Sequence, residues 1–198
     1  MGYDMYTVQE ADADEKAAVQ AAQKVCSALV RPWTLTEGTP EREAAEKAHR
    51  EAFAAYDAAQ KSYFRLNIWG MSVCAQWMDR LGMLTNEAAP EWPELAAYGL
   101  DDWPDSEDDD LSDADHRYLT AQAAVLAYEP QPVTGIPAHK FGSNDGWLVT
   151  PAQCAAALSV WENAPAEHRE AVEAEREWWP SWIAFLAHSQ QRGGFRVH

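Results

Sequence analysis

A chain of 198 residues is long enough for one domain carrying an insertion, and can bury a core without a disulfide or a metal. Its 32 acidic side chains against 15 basic ones give a net charge of −17, which disfavours direct contact with nucleic acid phosphates. Cys26, Cys74 and Cys154 form no CxxC pair, arguing against a disulfide scaffold or zinc knuckle. No basic-then-apolar leader or membrane-length apolar run is present, so a cytoplasmic protein with no membrane contact is expected.

Residues 3–8 read as a short strand. In residues 12–62 two alanine-rich helices follow: Ala18, Ala22, Val25 and Leu29 recur at helical spacing in the first. Thr39-Pro40 opens the second, whose stripe is Ala45, Ala48, Ala52, Ala55 and Ala59. Small residues on such stripes let two helices approach closely, so this segment is expected to be an antiparallel hairpin inserted between two strands.

The second of those strands, residues 63–69, alternates Tyr63, Arg65, Asn67 and Trp69 with Phe64, Leu66 and Ile68. Successive side chains of a strand face opposite ways, which predicts one core face and one polar aromatic face. Val73, Cys74, Trp77, Met78 and Leu81 then mark the apolar face of a short helix, with Gly82 as its stop.

Residues 85–115 are rich in Pro, Asp and Glu and predict an acidic irregular loop. Residues 91–132 carry one basic and twelve acidic side chains, so most of the excess charge is concentrated there. Ser112 or Asp113 can cap a helix to about residue 128. His139–Phe141, the turn Gly-Ser-Asn-Asp-Gly, and Trp147–Val149 read as a hairpin. Helices then start at Thr150-Pro151 and Pro165, and a last one carries Trp182, Ile183, Phe185 and Leu186. Gly193-Gly194 ends it, leaving Phe195–Val197 as an edge strand. The fold class expected is α+β in a single domain spanning 1–198: mainly helical, with a small antiparallel sheet and the inserted hairpin.

Two regions concentrate ligand-binding chemistry. Tyr63, Arg65, Asn67 and Trp69 offer a guanidinium for anions and an indole for flat groups. His139, Lys140, Asn144, Asp145 and Trp147 bring an imidazole, an ammonium, an amide and a carboxylate into one turn. Burial of the strand face and ordinary turn chemistry account for the same residues without a ligand. Asp105, Glu107, Asp108, Asp109 and Asp110 form an acidic stretch suited to a basic protein partner. They lack the glycine and closing glutamate of a calcium loop. The six histidines show no metal-ligand spacing, and no nucleotide, zinc-protease or hydrolase signature is present. No metal, cofactor or catalytic set is therefore assigned.

At Tyr63–Met71, at Ser143–Gly146 with Thr150-Pro151, and at Gly193–Phe195, the chain resembles a group of uncharacterised small bacterial and bacteriophage proteins. The resemblance covers these blocks and their order, implies an independent domain and carries no activity with it. The functional expectation is a non-enzymatic interaction protein that uses acidic and aromatic surface. The alternative is a small-molecule-binding domain or minor enzyme, with Arg65, Asn67 and Trp69 facing the His139–Asp145 turn.

Overall fold

The computed structural model describes residues 2–105 and 110–198. β1 (Gly2–Thr7) and β2 (Tyr63–Asn67) pair antiparallel, from Gly2 opposite Asn67 to Tyr6 opposite Tyr63. The connection between them is the inserted pair α1 (Ala13–Ala28) and α2 (Pro40–Ala59), which pack on each other. Each helix starts where its sequence supplies a cap. The Asp12 carboxylate accepts from the Glu15 N–H at 2.9 Å, and Thr39 accepts from Arg42 with Pro40 at the first helical position.

The stripe expected on α1 is rotated. Ala18 and Val25 face solvent, whereas Glu15, Val19, Ala22, Cys26 and Leu29 turn inward. The physical reason is a polar anchor: Glu15 is pulled under the sheet by Ser62, and the helix phase follows it. On α2, Ala52 is buried and Ala55 is exposed.

β2 is shorter than the alternation predicts. It ends at Asn67, whose side-chain oxygen accepts from the Gly70 N–H at 2.7 Å and caps α3 (Ile68–Arg80). A helix cap thus overrides the strand preference of Ile68 and Trp69. Met71, Cys74 and Met78 form the buried stripe of α3. Its end is a Schellman closure: Gly82 takes φ +76°, its N–H donates to the Asp79 carbonyl at 2.9 Å, and Met83 donates to Met78 at 2.8 Å.

The acidic stretch contains local structure. β3 (Leu84–Thr85) pairs in parallel with β4 (Ile136–Pro137), and a single turn, α4 (Leu95–Tyr98), precedes α5 (Asp113–Leu126). Ser112 and Asp115 form a reciprocal capping box on α5.

The expected hairpin at 139–149 does not form. Ala138–Phe141 is a 3-10 helix, and β5 (Trp147–Val149) pairs with β6 (Phe195–Val197) instead. β6 is also not an edge strand: the sheet order is β2-β1-β6-β5, antiparallel throughout. Gly194 explains why that pairing is available. It has φ +85°, and a Cβ there would lie 2.1 Å from the Val149 carbonyl oxygen, so only glycine lets β5 approach.

α6 (Pro151–Asn163), α7 (Ala166–Glu175) and α8 (Trp179–Gln191) complete the chain, with α6 packed on α8. The core gathers Phe64 and Phe195 from the sheet, Phe141, and Trp182 and Phe185 from α8, with ring centroids as close as 5.1 Å. The result is an α+β fold, mainly helical, in which α3, α6, α7 and α8 supply the core against one face of the sheet.

Candidate functional site

Antiparallel pairing sorts side chains by register. Met5, Phe64 and Val197 stand in one row on the buried face, and Tyr63, Tyr6 and Arg196 stand in the next row on the opposite face. Arg65, Asp4 and His198 extend that outer face. Arg65 and Tyr6 are exposed on this face. Asp4 organises it: the Tyr63 hydroxyl donates to Asp4 Oδ1 at 2.5 Å, and Arg65 Nε lies 3.5 Å from the same oxygen. Partial burial, then the Asp4 carboxylate, push the Tyr63 phenol up to about 12. The Tyr6 and Tyr63 rings pack at 5.0 Å.

The nine candidate ligand residues divide between two sides of the sheet. Tyr63 and Arg65 lie on the open face. Asn67 sits at its margin with its side-chain oxygen engaged as the α3 cap. Trp69 has left the strand; it projects from the first turn of α3 and is 80% exposed. The turn residue Asn144 donates to the Gly2 carbonyl at 2.9 Å, and the Arg65 guanidinium passes close to the same glycine. Asp145 is exposed and accepts from Ser143 at 2.5 Å.

His139, Lys140 and Trp147 belong to the buried side. Lys140 is wholly buried, and its ammonium donates to the carbonyls of Tyr128 at 2.6 Å and Leu148 at 2.5 Å and to Gln153 Oε1 at 2.9 Å. All three N–H donors are engaged, so Lys140 ties the edge strand β5 to the chain behind it. Burial brings its pKa down to about 8. The His139 ring lies 4.9 Å from the Trp147 ring, its Nδ1 is 3.3 Å from the Glu87 carbonyl, and burial lowers its pKa. His139, Lys140 and Trp147 therefore lie away from the open face, and of the turn residues Asn144 is the one that reaches the strand region, at the Gly2 carbonyl beside Arg65. Of the acidic stretch, Asp105 and Asp110 are exposed, while Glu107, Asp108 and Asp109 lie outside the described residues.

One polar cluster has no counterpart in the expectations. Glu15 Oε1 accepts from the Ser62 N–H at 2.6 Å, Oε2 accepts from the Ser62 hydroxyl at 2.8 Å, and His188 Nε2 lies 3.3 Å from that hydroxyl. A serine, a histidine and a carboxylate meet here, but not as a nucleophilic triad. The hydroxyl proton goes to the carboxylate, and Glu15 addresses the same ring nitrogen as Ser62, at 3.7 Å. Sequence signals point elsewhere, because Asp12 followed by Glu15 has the spacing of a helix capping box.

The thiols of Cys74 and Cys154 are free and buried, and burial raises both, Cys154 to about 12. Among the described residues no three His, Cys, Asp or Glu side chains gather as a metal-binding group, and no helix is long and apolar enough to cross a membrane. Compared with protein-family models, with curated proteins and with solved structures, the chain gives no match.

Proposed function

We propose that the protein is a non-enzymatic interaction module that binds a protein partner with a basic surface, using exposed acidic and aromatic side chains. The observation that supports this reading best is Trp103. It is 64% exposed although Trp179 and Trp182 are fully buried in the same molecule. Asp101, Asp102 and Asp105 surround it in sequence, and its ring rests edge-on against Tyr118 at 5.7 Å.

An exposed indole supplies the large desolvating area typical of an interface anchor, and adjacent carboxylates select a partner of opposite charge. Trp33 and Trp69, also far more exposed than buried, add exposed aromatic area on α3 and at the tip of the helical insertion. The test is affinity capture from native lysate at low and moderate salt, run with the wild type and with Trp103→Ser. The reading expects a stoichiometric basic partner that weakens with salt and is lost from the variant. Recovery of no stoichiometric partner at either salt overturns it.

A further inference from the structure

The start of α1 stands beside the Tyr6–Tyr63 end of the sheet and leaves a groove of about 460 Å³ between them. Ala11, Val19 and the two tyrosine rings give it largely apolar walls, and Glu10, Glu15 and Lys16 also line it. The rings are tilted 39° to one another with centroids 5.0 Å apart, so they form one continuous aromatic patch. Tyr63 donates its hydroxyl proton towards Asp4, which enriches its ring in electron density.

The charge in this groove is incompletely matched. The Glu15 side chain is only 5% exposed, and its hydrogen bonds come from the neutral N–H and hydroxyl of Ser62. His188 is near enough to balance it, but burial lowers the imidazole's pKa and leaves it short of a full positive charge at neutral pH. Of the nearby cations, Lys16 binds Glu10 at 2.9 Å and Arg192 binds Asp12, while Lys61, exposed and close enough to act on His188, forms no ion pair with Glu15. A carboxylate has about four lone-pair directions, and Ser62 takes two of them. An anionic ligand would meet Glu10 and Glu15, and a neutral one would leave the buried charge unanswered.

We propose that this groove binds a small organic ammonium ion, its cationic head seated between the Tyr6 and Tyr63 rings and the Glu15 carboxylate. Aromatic faces and a buried carboxylate are the combination that recognises such a head.

The full chain is titrated by calorimetry with choline and with n-butylammonium. Each is compared with a neutral isostere: for choline the compound with tert-butyl in place of trimethylammonium, for butylammonium n-butanol. At least one cation is expected to bind saturably, and roughly tenfold or more tighter than its isostere. Preference for choline assigns the aromatic surface as the main contact; preference for butylammonium assigns the Glu15 hydrogen bonds. Glu15→Gln is expected to weaken binding about tenfold by removing the charge. Because Glu15 also anchors Ser62, the exposed Tyr6→Leu provides a second variant, expected to weaken binding several-fold while the fold stays intact. Trp103→Ser should leave cation binding unchanged, which separates this site from partner binding. No saturable binding of either cation, equal binding of the isosteres, or full binding by folded Tyr6→Leu overturns the proposal.

Discussion

Lys140 and Arg65 are both long cationic side chains beside the same four-stranded sheet, and they meet opposite physical conditions. Lys140 lies behind the edge strand β5 with no solvent contact and three oxygen acceptors at 2.5–2.9 Å. Arg65 lies on the open face, well exposed, with one carboxylate 3.5 Å away. On the buried side a charge survives only where every donor is satisfied, so the residue is part of the architecture. On the open side the same charge is hydrated and remains available to bind. The difference teaches that residue type alone does not mark a binding site; the side of the sheet does.

The largest expected effect comes from breaking the edge that Lys140 secures. In Gly194→Ala the new Cβ would meet the Val149 carbonyl, and the φ of +85° is strained for alanine, so β5 must separate from β6. A loss of roughly 4 kcal/mol or more is expected, read by denaturant unfolding. A near-neutral result would mean that the β5–β6 pairing contributes little to the buried side.

Lys140→Met comes next. It leaves the Tyr128 and Leu148 carbonyls without the ammonium and Gln153 Oε1 with only the Thr150 N–H, for a loss of about 2–4 kcal/mol at pH 7. The pH dependence sharpens the point. The folded pKa of about 8 lies below the ordinary 10.5, so between those values the unfolded chain holds a proton that the folded chain has released. Lys140 therefore contributes stability that is full above 10.5 and is lost as the pH falls towards 8. Cys74, Cys154 and Tyr63, whose pKa values are all raised, act in the opposite direction at alkaline pH. The quantity to follow is the difference between wild type and Lys140→Met, in which Cys74 and Tyr63 cancel. Cys154, whose thiol pKa Lys140 lowers, cancels only in part, and its remainder widens the difference in the same direction. The difference is expected to widen from pH 8 to 10, and a flat difference would show that the amine is not desolvated.

What the sequence made legible was local. Thr39-Pro40, Ser112 and Thr150-Pro151 announce helix starts through side chains that reach N–H groups three residues away. The strand face at Tyr63 and Arg65 follows from simple alternation, which fails only where the Asn67 side chain turns the backbone into α3. The pairing of β5 with β6 joins residues nearly fifty apart, and the adjacent turn has the local chemistry of a hairpin, so sequence alone points to the nearer partner. Lys140 could not be assigned to the interior, because its acceptors come from three separate segments. Glu15 was hidden for a similar reason: a capping-box position in sequence becomes a long-range anchor for Ser62 in space.

The smallest effect belongs to the open face, and its smallness is what the comparison requires. Arg65→Ala removes a guanidinium whose side chain is 61% exposed and whose ion pair with Asp4 is solvent-screened, so stability should change by about 0.5 kcal/mol or less. Tyr63 keeps its hydrogen bond to Asp4, and the Asn144 tie to Gly2 is untouched. Thermal unfolding of Arg65→Ala beside Lys140→Met measures the contrast directly. A loss from Arg65→Ala as large as that from Lys140→Met would mean that the outer face is structural too. A small loss leaves Arg65, with Tyr6 and Tyr63 beside it, as surface that folding does not require and that recognition can use.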